Sequence, residues 1–320
     1  AVFGPVLHSM SFREAIERDI LSDYQVVELG IDADTEPTYR QLLSTYTEVQ
    51  VTGAPKADSD TFLALLATCT AMTRYGLQRV ISFHSSIRRA KTFSALLEHA
   101  VQWLPRRGRS KPTATTARHI NGTMSIRQRE QLLAELRDPD LTQPLLISNA
   151  QCLSEGVDVP ALDGIVFANP KRSVVDICQA VGRVLRRSEG KTIGTIIVPL
   201  QVTHADDAEA EIDRASFQTL VNLIRAIRAT DSVMADMLDN LRRYPPGCGS
   251  RNPPLPGVVW DMPKGTAAAF VEQLQLDLVE HTTSSWGFWF GLLEQFVAAE
   301  GHARIHAHHR TPDGYRLGAW

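Results

Sequence analysis

Apolar positions along the chain follow two alternating rhythms. "YQVVELGI" (24–31), "RVISFH" (79–84), "PLLISN" (144–149), "GIVFA" (164–168) and "KTIGTIIVPL" (191–200) are short apolar runs rich in β-branched residues, and "TARHI" (116–120) is a weaker one. They read as strands. Between them, "FREAIERDIL" (12–21), "SIRRAKTFSALLEHAVQWL" (86–104), "SIRQREQLLAEL" (125–136) and "SVVDICQAVGRVLR" (173–186) place apolar residues at helical spacing. "DTFLALLATCTAMTRYG" (60–76) is apolar over one broad face, as in a buried helix ended by Gly76. Ser125 stands where a cap for the 125–136 helix is needed. Strands alternating with helices predict an α/β fold, a parallel sheet covered on both faces. In such sheets ligands gather at the carboxyl ends of the strands.

After Leu200 the rhythm changes. Residues 206–244 are helical in pattern throughout, "PPGCGSRNPPLPG" (245–257) reads as a linker, and helices follow over about 264–280 and 285–300, the last ended by Gly301. This divides the chain into a leading segment (1–75) packed on the α/β domain, that domain (76–200), a helical extension (201–283) and a small helical tail (284–320).

Composition narrows the function classes. With 320 residues, 43% of them hydrophobic, the chain can bury a core for about two domains. A net charge of −3 excludes a wholly basic nucleic-acid coat but not a local basic groove. Cys69, Cys152, Cys178 and Cys248 lack the C-x-x-C spacing of a zinc or redox site, which fits a reducing, cytoplasmic setting. No stretch approaches the roughly 20 apolar residues of a membrane span. The start, "AVFGPVLHSMSF", has no basic region before an apolar run, so no signal peptide is expected.

Candidate chemistry centres on "QAVGRVLRR" (179–187). Arg183 and Arg186 are three apart, Gln179 lies one turn before Arg183, and Gly182 removes a side chain between them. Arginine presents a rigid fork of donors that matches phosphate oxygens, the geometry needed to stabilise charge on a γ-phosphoryl group. A solvated helix end is the competing reading of the same residues. Upstream, "SEGVDVP" (154–160) lies in a polar loop between two strands. There Gly156 permits a tight turn, Asp158 can accept from a ribose hydroxyl and Pro160 stiffens the exit. "FHSSIRRA" (83–90) ends a strand in small polar residues and opens a helix with cations.

Together, in this order, the three stretches resemble motifs IV, V and VI of superfamily-two helicases, in the second RecA-like domain, over about residues 76–200. The tail "SWGFWFGLLEQFVAAEGHARIHAHHRTPDGYRLGAW" resembles a helicase-associated module at Trp286, Leu293, Phe296, Gly301, His302, Gly314, Leu317, Gly318 and Trp320. That module normally continues past its "LGxW", and the chain is expected to end within it. The resemblance implies that Arg183 and Arg186 reach the γ-phosphate of ATP, with Arg186 as the finger, and that Gln179 and Gly182 belong to the same motif. It implies that Gly156 and Asp158 lie near the ribose or the motif VI arginine, and that Ser85, Ser148 and Asn149 touch the nucleic-acid backbone. ATP and Mg²⁺ are the implied cofactors. The implied partners are nucleic acid, DNA before RNA, and an N-terminal motor domain.

The phosphate loop of such a motor is G-x-x-x-x-G-K-[ST]. Its nearest match is Gly190-Lys191-Thr192, but Leu185 stands where the first glycine belongs, and the segment leaves a helix and enters a strand. No "DEAD" or "DEAH" occurs. These residues therefore suit a C-terminal piece of an ATP-dependent helicase, inactive alone. The rivals are a nucleic-acid-binding adaptor without ATPase activity and a motor subunit of a restriction system. His302, His306, His308 and His309, with Arg304 and Arg310, suit a basic surface better than a metal site, and "PRRGRSK" (105–111) reads as an exposed loop. Trp286, Trp289 and Phe296 follow helical spacing and read as core.

Overall fold

The computed structural model describes residues 10–32, 59–103, 115–150, 158–169, 174–203, 211–212, 214–243, 255, 257–263, 266–312 and 315–320. Seven parallel strands form one sheet: β1 (Asp23–Asp32), β2 (Arg79–His84), β3 (Thr116–Asn121), β4 (Leu145–Ala150), β5 (Gly164–Asn169), β6 (Ile193–Thr203) and β8 (Val258–Asp261). Their order is β3-β4-β2-β5-β6-β1-β8, and the two-residue β7 (Glu211–Ile212) pairs antiparallel with the end of β6. This is a RecA-like α/β fold.

Side chains of successive strand residues point to opposite faces, so each strand feeds two cores. Val26 of β1 and Ile196 and Val198 of β6 join one; Val27 and Leu29 of β1 and Ile197 of β6 join the other. Two helices cover the second face: α2 (Ser59–Tyr75) and α3 (Ile87–Trp103), with Phe62, Leu65, Phe93 and Leu97 at 1% exposure or less. The first face is covered by α4 (Ile126–Arg137), α5 (Val174–Val184), α6 (Arg214–Arg228), α7 (Ser232–Arg243) and α8 (Ala268–Thr282). Each fully buried Leu or Phe is worth about 1.5–3 kcal/mol. Double coverage explains why β2 and β4 read as near-continuous apolar runs rather than alternating ones.

The sheet draws on residues beyond 76–200. β1 lies between β6 and β8, in register from Asp23↔Ile193 to Asp32↔Val202 and from Val26↔Val258 to Leu29↔Asp261. The leading segment therefore supplies a central strand, and the extension read as helical supplies the edge strand β8. Local chemistry sets several ends. Ser125 caps α4 in a reciprocal box with Gln128. Asp231, 0% exposed, breaks the long helical run of 206–244. Its Oδ1 accepts from the Val233 and Met234 amides, and its Oδ2 accepts from the Tyr24 hydroxyl at 2.9 Å. The short α1 (Phe12–Glu17) stops well before the expected residue 21, with Asp19 at φ 60°. Helix α9 (Ser285–Glu300) ends at Gly301, φ 76°, as its sequence requires.

One buried group stands apart. Glu28 of β1 is 0% exposed, level with Val198 on one side and Trp260 on the other. Neither of its carboxyl oxygens, nor the buried indole N–H of Trp260, has a hydrogen-bond partner among the described residues. Desolvation holds the Glu28 carboxyl well above the usual carboxylate range.

Candidate functional site

Helix α5 follows β5 and runs antiparallel to the strands, so its last turn returns to the edge where β6 and β1 begin. Gly194 of β6 permits this approach, since a Cβ there would lie 2.5 Å from the Val184 carbonyl. The helix closes with the Leu185 amide donating to Val181 O and the Arg186 amide to Arg183 O. The chain then pairs with the leading segment: Leu21 and Arg186 form an isolated bridge, and the Ser22 amide donates to Leu185 O at 2.7 Å. The helix thus ends two residues before Arg186. Arg183 is half-buried in the last turn, whereas Arg186 leaves from extended backbone rather than from a shared helix face.

Arg186 Nη1 donates to Asp158 Oδ1, with 43% of the arginine side chain and 71% of the aspartate side chain exposed. An ion pair this open is worth about 0–1 kcal/mol, so a phosphate can take the guanidinium at little cost. Two further cations hold the backbone beneath the pair. Arg137 Nε, at the end of α4, donates to Asp158 O at 2.6 Å. Lys191 Nζ donates to Arg186 O at 2.7 Å and to Pro160 O at 3.3 Å. Burial brings the Lys191 ammonium down to about 8, against the opposing pull of Asp163. Gln179 is exposed one turn before Arg183. A Cβ on Gly182 would meet only Phe12 Cζ, at 3.9 Å, so no neighbouring backbone requires the glycine. Gly156 lies outside the described residues.

The structure therefore pairs Arg186 with Asp158, with Arg183 in the helical turn before them, at the amino-terminal edge of the sheet. The rule for carboxyl ends concerns loops that follow strands, whereas these residues end a helix or precede a strand.

The carboxyl edge holds the second group. Ser85 follows β2 and is half-buried; its neighbour Ser86 caps α3, accepting from the Arg89 amide. Ser148 and Asn149 of β4 are both 0% exposed. Ser148 Oγ lies 2.8 Å from Ala90 O and 3.2 Å from Arg118 O, carbonyls that accept its proton. β4 is covered on both faces, and both side chains lie inside the fold. Beside them stand the half-buried His119 and the buried Asn121 of β3, with Thr123 exposed just beyond the strand. Asn121 Oδ1 accepts from the Thr123 amide and hydroxyl, and its Nδ2 faces His119 Nε2 at 3.0 Å. His119 Nδ1 stands 3.4 Å from Ser148 Oγ. Burial and the Lys91 ammonium lower the His119 pKa, favouring a neutral ring that accepts at Nε2 and donates at Nδ1.

The tail differs from its reading as core. Trp286 is 55% exposed and stacks on Phe290 at 4.8 Å, with Arg243 5.4 Å over the Phe290 ring. Trp289 stacks on the half-exposed Trp320, and Phe296 packs against His302 and His309. Among the described residues no three His, Cys, Asp or Glu side chains are grouped to hold a metal ion, and no helix is long and apolar enough to cross a membrane.

Residues 63–188 match the family model of the helicase conserved C-terminal domain. Across 92% of this chain the fold is similar to the ATP-dependent Type ISP restriction-modification enzyme LlaBIII bound to DNA, with a TM-score of 0.67 and 25% identity. The match spans 19% of that enzyme. A probable helicase of African swine fever virus, from a South African isolate, is 28% identical over 116 residues, which is 29% of this chain and 14% of the viral protein. Its counterpart in a Kenyan isolate is 38% identical over 60 residues, 19% of this chain and 7% of that protein.

Proposed function

We propose, from a chain whose residues 63–188 match the helicase conserved C-terminal domain model, that it is the second RecA-like half of an ATP-dependent nucleic-acid motor of superfamily two. The observation that carries this reading is the exposed Arg186–Asp158 pair with Arg183 one turn behind it.

The described residues fit one wall of a triphosphate site. Arg183 and Arg186 offer planar forks for phosphate oxygens, and Asp158 keeps Arg186 extended until a stronger anion arrives. The sequence holds no glycine-rich loop ending in Lys-Ser/Thr and no "DEAD"-type carboxylates, so the cradle and the metal ligands belong to the opposing wall. Bound ATP with Mg²⁺ would supply the scissile phosphoanhydride and a cation to offset its charge, with Arg183 and Arg186 facing it from this chain. On this chain, Arg186 exchanges Asp158 for the γ-phosphoryl oxygens and stabilises the charge that grows there. An arginine in that role is worth about 10³–10⁵ in rate. The carboxyl edge, with the half-buried Ser85 and the exposed Thr123, supplies part of a phosphate-backbone track, so binding has little sequence preference and falls with salt.

A second, narrower reading places the motor in a restriction system acting on DNA. It rests on the 92% coverage by LlaBIII. A nuclease or methyltransferase motif elsewhere in the same polypeptide would support it.

The test is R186A in the complete motor. Hydrolysis is expected to fall by about 10³ or more with ATP affinity near normal, and the 320-residue chain alone is expected to hydrolyse nothing. Unchanged turnover in R186A returns Arg186 to a solvated helix end.

A further inference from the structure

The Gly190-Lys191-Thr192 stretch has the letters of a phosphate loop and neither its spacing nor its setting. Its lysine is nonetheless half-buried and directed at backbone. Lys191 Nζ donates to Arg186 O at 2.7 Å and to Pro160 O at 3.3 Å. These carbonyls belong to different segments, one carrying Arg186 and the other lying two residues after Asp158. Neither segment is regular structure. Arg186 sits in an isolated bridge beyond α5, and Asp158 and Pro160 lie between β4 and β5. Among the described residues the Arg186–Asp158 side-chain pair also joins these two segments, and a phosphate would break it, while Arg137 holds Asp158 O from α4.

We propose that Lys191 is a positioning residue for Arg186, a backbone clasp that keeps the segments bearing Arg186 and Asp158 in register when Arg186 leaves Asp158 for phosphate. The inference rests on the reading of Arg186 given above.

Three features support a clasp rather than a surface contact. One ammonium carries two of its three donors to carbonyls of separate segments, which a solvated lysine has no reason to do. Arg186 O also accepts from Ser22 Oγ at 3.4 Å, so both of its lone pairs face donors. The ammonium is desolvated, and its titration near 8 is set by burial against Asp163. The other charged groups around it are Arg79, whose amide donates to Asp163, and the Arg186–Asp158 pair. A residue acting through backbone position should alter the rate of phosphoryl transfer and leave nucleotide binding alone, because effective alignment is lost while the binding cation remains.

The experiment compares wild type, K191M, K191R and R186A in the complete motor. Steady-state ATP hydrolysis is read from pH 6.5 to 9.5, alongside thermal melts. K191M is expected to lower kcat about tenfold with the KM for ATP within about twofold. K191R, which can reach two carbonyls with separate N–H groups, is expected to recover most of kcat. Wild-type kcat should decline above pH 8, whereas K191R, charged throughout, should stay flat over that limb. A K191M kcat equal to wild type, with R186A impaired, overturns the clasp and spares the reading of Arg186. An R186A kcat equal to wild type overturns both. If K191M fails to fold, K191R decides alone: an alkaline limb unchanged from wild type overturns the clasp.

Discussion

Glu28→Gln isolates a buried carboxyl with no hydrogen-bond partner among the described residues. The substitution keeps the shape and removes the proton equilibrium. Glu28 is 0% exposed in a central strand, and neither oxygen has a hydrogen-bond partner among the described residues, so the folded protein holds it protonated well above the usual carboxylate range. The unfolded chain releases that proton with an ordinary pKa of about 4.3. Above that value the unfolded state binds fewer protons than the folded one, so stability falls as pH rises, until the folded-state pKa is passed. The slope is about 1.4 kcal/mol per pH unit. Between pH 5 and pH 6 wild type therefore loses up to about 1.4 kcal/mol through this one side chain, and E28Q loses none through it. All other titrating groups are common to both proteins and cancel. Urea unfolding of each at pH 5, 5.5 and 6 measures the difference, and E28Q should gain on wild type at each step, by up to about 0.7 kcal/mol per half unit. Parallel pH dependences would show that Glu28 finds water or a partner in the folded state.

Two substitutions separate ligand contacts from structure. G182A should raise the stability of the chain by about 0.5–1 kcal/mol in thermal or urea melts, because the site accepts a Cβ 3.9 Å from Phe12 Cζ and alanine is the better helix former; a fall in ATP hydrolysis by the complete motor would then report an object from outside this chain at that spot. S148A should cost about 1 kcal/mol by losing the bond to the Ala90 carbonyl, while the salt dependence of nucleic-acid binding stays that of wild type in a titration at two salt concentrations, since a buried hydroxyl displaces no counterions.

The parallel sheet was legible because burial on both faces writes itself into sequence as apolar runs separated by amphipathic helices. "RVISFH" and the Ser125 cap appear in the structure within a residue of where pattern and chemistry place them. The role of the leading segment was less legible. "YQVVELGI" reads as a strand, but nothing local says that it inserts between β6 and β8. That pairing is set by contacts with residues more than 160 positions away. β8 was lost because "VVWD" is four residues long and follows a Pro/Gly-rich stretch that signals linker. At the candidate site, residue types were readable and placement was not. The spacing of Arg183 and Arg186 implied a common helix face, but the bridge to Leu21 takes Arg186 out of the helix. Ser148 and Asn149 look like surface residues by type and are interior by topology. Lys191 and Arg137 had no signal, because each acts on a backbone carbonyl, which every residue carries. His119, Asn121 and Thr123 had a faint one, polar residues clustered where a strand gives way to a helix.

The central claim is that Arg186 exchanges an aspartate of its own domain for a phosphate held by the opposite wall. A crystal structure of the complete motor with Mg²⁺, ADP and aluminium fluoride tests it most directly. The account predicts a guanidinium nitrogen of Arg186 about 3 Å from a fluoride of the γ-phosphate mimic, with the bond to Asp158 Oδ1 broken. Arg186 still paired with Asp158, and separated from the mimic by solvent, would contradict it.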